Sequence, residues 1–478
     1  MRLRRTLYKL TILVGLGLMY TIYKVSLRHS TDADYVDSLR NVAGRDIGKS
    51  GNRELHNLHN PANPIPPEQV KVFGRDKEAS NNSDHAVKFV HRTSKPVVAD
   101  ILPKNITFTG KNSVIKRAML EVNHRQEIFN SERFPQRSES SVVIVVMVHK
   151  RLEYLRFLID SLRKARDIDD ALLIFSHDFY SEEINALVRS IDFCQTMQIF
   201  YPYSLQIYEN EFPGQDPNDC PRDIKRDRAK VMKCNNWEHP DKYGHYREVS
   251  FVMTKHHWFW KFQNVFTGLE ATKDHQGLVL FIEEDHYVTP DFYVMVKNMY
   301  ELKKRQTSQT VDILTLGTYD KNRNFRDRSD KADVLVWHSS KHNMGMALDR
   351  KTWERIQTCV QEFCSYDDYN WDWTLQHISN TCLKPPLHVM VLKAPRIFHI
   401  GECGIHHKGK GKCDADNLVS QIDSLVKTST QYLFPENLEL SPKTRPIRSK
   451  DPKPNGGWGD VRDHALCMTY GKPTDGKL

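Results

Sequence analysis

No cysteine precedes Cys194 in this 478-residue chain, and no internal repeat or long low-complexity tract interrupts it. Those absences argue against a disulfide-stapled mini-domain at the N-terminus and against repeat architectures. No nucleic-acid motif accompanies the formal net charge of +9. Much of that excess sits in the N-terminal part and in short clusters such as "KGKGK", Lys408 to Lys412. The basic balance therefore reads as a basic stem and solvated loops, with no nucleic-acid partner. The one long apolar run lacks an A-x-A-like cleavage site after it, which favours an uncleaved anchor over a removed signal peptide.

That run lies in "MRLRRTLYKLTILVGLGLMYTIYKVSLRHS". Cations at Arg2, Arg4, Arg5 and Lys9 precede it and favour a cytoplasmic N-terminus. With its flanking apolar residues it approaches the ~20 residues a bilayer requires. The organisation expected is a tail over 1–9, a signal-anchor helix over 10–28, a polar, Pro-containing luminal stem over 29–112, and an ordered luminal domain over 113–478. A buried N-terminal helix would need a polar face that this run lacks. Nine cysteines, all in the second part of the chain, suit an oxidising lumen. The sequons at Asn81 and Asn105 suit N-glycosylation of the stem.

Order begins at Ser141. "SVVIVVMVHK" is a β-branched run without alternation, as a strand buried on both faces should be. "LEYLRFLIDSLRKA" carries leucines at helical spacing, and "ALLIFSHDF" is a second strand. "SEEINALVRSI" is a helix that Ser181 can cap, and "MQIFYPYS" a third strand. This alternation predicts a mostly parallel α/β sheet flanked by helices, with ligands beyond the carboxyl ends of the strands. "NEFPGQDPNDCPRDIKRDRAKVMKC" reads as a surface loop and "SFVMTKHHWFWKFQNVFTGL" as a long helix. "GLVLFIEEDH" and "VDILTLGTY" are further strands, and Pro290 marks a helix start between them.

Four constellations carry chemistry. Glu283, Glu284 and Asp285 emerge from a buried strand, where a hard divalent cation bridging to a diphosphate would offset their repulsion; an acidic strand end facing water is the plainer alternative. "SYDDYNWDWTLQ" sets Asp367, Asp368 and Asp372 among aromatics, as sugar sites do, or as a capped helix start with aromatic anchors. In "RIFHIGECGIHHKGKGKC", His399 can ligate a metal. Cys403, His406, His407 and Cys413 in that stretch read either as a short-loop disulfide with loop histidines or as a zinc site. In "MTKHHWFW", Lys255, His256 and His257 either meet phosphate or a base, or form one basic patch on an amphipathic helix.

Taken together, "FSHDFYSEEIN", "YENEFPG", "CPRD", "TKHHWFWK", "LFIEEDHYVTPDFY", "HNMGMAL", "YDDYNWDWTLQ", "PRIFHIGECGIHHK" and "NGGWGDVRDHALC" resemble the Golgi α-1,6-mannosyl-glycoprotein 2-β-N-acetylglucosaminyltransferases, the N-acetylglucosaminyltransferase II family. The match runs in order from about Ser141 to Cys467. The resemblance implies a glycosyltransferase-A, Rossmann-like fold and a Golgi type II membrane enzyme. It implies inverting transfer of GlcNAc from UDP-GlcNAc to the 2-hydroxyl of the α-1,6-arm mannose of an N-glycan. It implies Mn²⁺ held by Asp285 and His399, and Asp372 as the base. Met147, Val148, His149, Lys150 and Arg151, with Asp178, would hold the uridine. Met253, Thr254, Lys255, His256 and His257 would complete the donor site. Glu284, Arg323 and Asn343 would contact substrate, and Tyr369 and Trp371 are the expected acceptor-stacking rings. The implied disulfides are Cys220–Cys234, Cys359–Cys382, Cys364–Cys467 and Cys403–Cys413, with Cys194 free. The resemblance leaves room for a homo-oligomer. This chain reads "VHKRLEYL" where vertebrate members resemble "VHNRPEYL", so at Lys150 and Leu152 the resemblance carries over the fold but not the fine uridine contacts. "KKRQTSQT" replaces a local cysteine pair of some relatives.

Overall fold

The computed structural model describes residues 110–134, 137–306, 310–319, 323–401, 403–404, 407–408, 415–441 and 453–470. The anchor, the stem as far as 109, the sequons at Asn81 and Asn105, and the side chains of Cys403 and Cys413 lie outside the described residues, while 110–112, expected in the stem, begin helix α1 (Gly110–Arg125). Among the described residues, no helix is long and apolar enough to cross a membrane. By packing, the chain divides into one unit of 95–402 with 413–478 and another of 1–94 with 403–412. In the second unit the described residues form one short antiparallel ladder, β12 (Cys403–Gly404) with β13 (His407–Lys408).

The larger unit is built on a ten-stranded sheet. Its strands are β1 (Ile128–Phe129), β2 (Val143–Val148), β3 (Leu172–His177), β4 (Gln195–Phe200), β5 (Leu278–Glu283), β7 (Ile313–Thr315), β8 (Lys331–Val336), β9 (Met346–Asp349), β10 (His388–Leu392) and β14 (Glu439–Leu440). They lie in the order β1-β4-β3-β2-β5-β9-β7-β10-β8-β14. The central run β4-β3-β2-β5 is wholly parallel. Crossover helices α2 (Leu152–Arg163) and α3 (Glu182–Arg189) connect its first three strands. Ser181 caps α3 by accepting the Ile184 amide, as its position predicts. This is the mostly parallel α/β sheet read from the sequence.

The lack of alternation in these strands has a structural cause. Val143, Val145, Leu172, Ile174, Val279 and Phe281 face one core with Phe259 and Phe262 of helix α5 (Val249–Gln263). Ile144, Val146, Leu173, Phe175, Leu280 and Ile282 face the other, against α2 and α6 (Phe292–Arg305). Each such aliphatic side chain contributes about 1.5–3 kcal/mol on burial, so both faces favour apolar residues.

Three local readings change. The third strand ends at Phe200, short of "YPYS", because Pro202 has no amide to give the ladder. The loop read over "NEFPGQDPNDCPRDIKRDRAKVMKC" contains helix α4 (Arg226–Met232), bounded by the Cys220–Cys234 disulfide. After β5 the chain does not go straight into a helix. It forms β6 (His286–Val288), which pairs antiparallel with β11 (Ile397–His399) and sets His399 opposite His286.

Chain order reverses where β2 lies beside β5: β3 and β4 follow on one side, β5 on the other. At such a switch point the loops leaving the two strands diverge and open a crevice at the carboxyl edge. His149 to Arg151 leave β2 there, Asp178 follows β3, and Glu284 and Asp285 follow β5.

Candidate active site

The acids after β5 have several partners. Glu284 is buried, and its Oε2 accepts the His149 amide at 2.8 Å and the Arg151 amide at 3.4 Å. It thereby ties the β2 loop to β5. Burial, only partly offset by those bonds, raises its pKa to about 7. Asp285 is also buried; its Oδ2 accepts Arg151 Nη1 at 2.5 Å and lies 3.2 Å from His399 Nε2. Burial alone would raise Asp285, but the His399 bond and the positive charges around it outweigh burial and hold it well below the usual carboxylate range. His399 shifts the opposite way: burial disfavours its charge, and Asp285 more than restores it. Glu283 stands open to solvent, yet surrounding protein and the charge of Asp285 raise its pKa. Beneath it, Lys261 of α5 is buried; burial lowers its pKa to about 8 against the pull of Glu283 and Asp178.

These residues fit a divalent cation. Asp285 Oδ1 is buried with no hydrogen-bond partner among the described residues. Donor atoms of Glu283, Asp285 and His286 lie within 4.8 Å of one another. His286 is the weaker ligand of that group, because its Nδ1 accepts the Glu283 amide at 3.2 Å. That bond puts the proton of the neutral ring on Nε2 and leaves no lone pair to give. His399, whose Nε2 already faces Asp285, is better placed. Gly401 completes the wall: a Cβ there would stand 2.1 Å from Asp285 Oδ2. Only glycine permits that approach.

Beyond Glu284, His149 Nδ1 meets Asp178 Oδ1 at 2.6 Å. Lys150 is exposed, its ammonium 4.3 Å from the centre of the Phe179 ring. Asp372 lies in the first turn of helix α7 (Trp371–Thr381). Its Oδ1 accepts the Trp373 amide at 2.9 Å and its Oδ2 accepts Asn343 Nδ2 at 3.1 Å. Burial, with the Asp368 charge nearby, raises its pKa to about 7 against those bonds. Tyr319, just past β7, lies close to Asn343 and faces the charges of Glu283, Asp372 and Asp285. One site therefore joins an acidic cation pocket to a carboxylate suited to proton abstraction near neutrality.

The family model for N-acetylglucosaminyltransferase II (MGAT2) matches residues 116–467. The chain belongs to this family. It is similar to the alpha-1,6-mannosyl-glycoprotein 2-beta-N-acetylglucosaminyltransferase of Sus scrofa, 49% identical over 81% of this chain and 84% of that one. The protein of the same name from Arabidopsis thaliana is 37% identical over 73% and 79%. A solved S. aureus TarS fragment, 1-349 in complex with UDP-GlcNAc, aligns at 10% identity and a TM-score of 0.28, covering 62% of this chain and 72% of that one. So slight a likeness supports no assignment.

Within this family member, several expected site residues fall elsewhere. Lys255 is fully buried and donates to the carbonyls of Tyr366, at 3.3 Å, and Asp368, at 2.9 Å. His256 is equally buried, bonded to Asp463 at 2.9 Å and Tyr470 at 3.3 Å. A donor contact from either does not fit, because their polar atoms are spent inside the fold. His257 is buried behind Asp178, its Nδ1 3.8 Å from Asp178 Oδ2 and its Nε2 bonded to Ser176 at 2.9 Å. Met253 packs in the core, and Thr254 is exposed. The expected stacking rings are occupied too. Trp371 stacks on Trp258 with centroids 3.9 Å apart, and Tyr369 on Phe251 at 4.8 Å. Both are buried, so neither offers an open face to a sugar. Arg323 is exposed, over the Phe398 ring.

Asp367 and Asp368 prove to be scaffold. Asp368 accepts the amides of Asn370, at 2.9 Å, and Asn455, at 2.8 Å; Asp367 accepts that of Trp458 at 3.0 Å. Together they join the start of α7 to the C-terminal segment. The structure pairs Cys220 with Cys234, Cys359 with Cys382 and Cys364 with Cys467, and leaves Cys194 free and buried. Sequence reasoning missed Lys261, Tyr319, His286 and Gly401. A lysine inside the aromatic run "WFWK" was a usable signal for the first. The other three depend on long-range pairing.

Proposed function

We propose that the chain transfers GlcNAc from UDP-GlcNAc to the 2-hydroxyl of the α-1,6-arm mannose of N-glycans, forming a β-1,2 linkage with inversion and starting the second antenna. Family membership supports the reaction class, a nucleotide-sugar donor and a glycan acceptor. The observation that carries the mechanism is Asp372: a single carboxylate, raised to about 7, in the same site as a buried acidic pocket. An inverting single displacement needs one base and no protein nucleophile.

In this reading Asp372 takes the acceptor proton on Oδ2, while Asn343 and the Trp373 amide hold the carboxylate in place. His149, Lys150, Arg151 and Asp178 hold the uridine, with Met147 and Val148 forming the strand end beneath them. Glu284 locks the β2 loop that carries three of these groups. Asp285 and His399, with Glu283 beside them, would hold Mn²⁺. When bound, the ion supplies positive charge against the departing diphosphate. Arg323, over the ring of Phe398 beside His399, is kept as a proposed substrate contact. Residues 1–9, 10–28 and 29–112 are proposed as tail, signal-anchor and stem of a single-pass type II Golgi protein, with 113–478 luminal; a homo-oligomer is compatible with this arrangement.

The test measures GlcNAc transfer to a hybrid-type N-glycan carrying GlcNAc on its α-1,3 arm, with and without Mn²⁺. Transfer should require the ion, and Asp372→Asn should lose about 10²–10⁴-fold in rate while still binding UDP. Absence of wild-type transfer to any N-glycan acceptor overturns the reading. Loss of UDP binding in Asp372→Asn overturns the role given to Asp372.

A further inference from the structure

We infer that Tyr319 is the acceptor-contact residue of this site, its ring the platform that seats the acceptor pyranose between the acidic pocket and Asp372. The inference rests on the transfer reaction proposed above. The aromatic residues expected to stack on sugar have no free face: Tyr369 is 8% and Trp371 9% exposed, each stacked on an interior ring. Tyr319 is 53% exposed. A large ring left open beside a cluster of carboxylates is the arrangement that binds a pyranose, whose C–H face packs on the ring while its hydroxyls meet the acids.

Backbone pairing fixes the ring there. Gly317, two residues earlier, donates its amide to the Met344 carbonyl at 3.2 Å, next to Asn343. Gly317 also bridges to Ile397, two residues before His399. Tyr319 is thus anchored at once to the strand leading to the cation pocket and to the turn that carries Asn343. It lies close to Asn343, whose amide holds Asp372 Oδ2. Burial of the hydroxyl and the surrounding carboxylates push its pKa up, so it stays a neutral phenol able to donate to an acceptor oxygen. Asn343 Oδ1, buried without a hydrogen-bond partner among the described residues, offers an acceptor for a sugar hydroxyl at the same place.

Steady-state kinetics with donor and acceptor varied separately tests this, alongside UDP-GlcNAc hydrolysis without acceptor. Tyr319→Ala should raise the acceptor KM by about tenfold or more and leave the donor KM and hydrolysis near wild type. Tyr319→Trp keeps a platform and should restore most of the acceptor affinity. Tyr319→Phe should keep the acceptor KM within about threefold and lower kcat. An unchanged acceptor KM in Tyr319→Ala overturns the inference. So does an equal rise in both KM values, or failure of Tyr319→Trp to improve on alanine. Should Tyr319→Ala fold poorly, saturation-transfer NMR on the wild type reads the contact directly: enhancement of the acceptor mannose C–H protons that is lost in Tyr319→Phe,Asn343→Ala double variants but kept for UDP would overturn a ring platform, and enhancement kept in Tyr319→Phe supports it. Absence of wild-type transfer with intact hydrolysis would strike the proposed reaction instead.

Discussion

At the scale of the residue, the proposed mechanism turns on two atoms: Asp372 Oδ2 and Asp285 Oδ2. A base works only when deprotonated, and burial sets the Asp372 pKa at about 7. The rate should therefore hold its plateau above that value and fall about tenfold per unit below it. A pH profile of kcat/KM for the acceptor checks this; a profile flat down to pH 5 would remove Asp372 as the base. Asp285 depends on the empty corner at Gly401. Gly401→Ala puts a methyl 2.1 Å from Asp285 Oδ2, which must then rotate or shift. We expect roughly 10–100-fold weaker Mn²⁺ binding, as for other supports of a ligand's position. Isothermal titration with Mn²⁺ and UDP reads it, and undiminished affinity would show that the carboxylate does not need that place. The same pair shows what the sequence could not express. The acids of "FIEED" are legible, but their cations are not, since Arg151, Lys261 and His399 come from three distant segments.

At the scale of the element, buried apolar strands are legible because both faces meet helices, which favours apolar side chains along their whole length. Helix α5 is legible as a helix but not in its orientation. Its cations lie among aromatics on every side, so the pattern does not tell Lys255, which faces inward to the segment before α7, and His256, which faces inward to Asp463 near the C-terminus, from a substrate face. Strands β6 and β11 are three residues each, too short for any periodicity to declare them. What faces inward from α5 is a clasp for the C-terminal helix α8 (Val461–Tyr470). Asp463 there receives Arg247 Nε at 2.7 Å and Nη2 at 3.0 Å, and His256 at 2.9 Å. Burial would raise its pKa, but Arg247 and His256 hold it well below the usual range. Its folded value lies under its unfolded one, so its contribution is complete above pH ~4 and drains away as pH falls below that. Asp463→Ala strands a buried Arg247, and removing one partner of such a pair costs about 3–5 kcal/mol. Urea melts at pH 7 should show that loss, with a smaller gap between variant and wild type at pH 3. An equal gap at both would mean the pair contributes through packing alone.

At the scale of the whole molecule, the fold is closed by a long covalent loop, and among the described residues one thiol, Cys194, stands outside the disulfides. Cys364–Cys467 spans 103 residues and joins the segment before Asp372 to α8. A loop of that length restricts the unfolded chain by about 4–5 kcal/mol in the chain-entropy view, more than the 14-residue Cys220–Cys234 loop at about 3. The segment leading to Asp372 is thus tied to the end of the chain by the Cys364–Cys467 disulfide and by the bond from the Asn455 amide to Asp368; global unfolding breaks the second and leaves the disulfide intact. Cys194 reports on that event. It sits in the core beneath α2 and α3, and burial pushes its thiol far up, so almost no thiolate exists near neutrality. Iodoacetamide should leave the Cys194 peptide unmodified in the native protein and alkylate it fully in denaturant, as read by mass spectrometry of that peptide. Its labelling rate along a urea gradient should then follow the loss of transferase activity, because the thiol and the clasped helix belong to one cooperative unit. Labelling that begins well before activity falls would mean that the α2–α3 side opens independently of the half that carries Asp372.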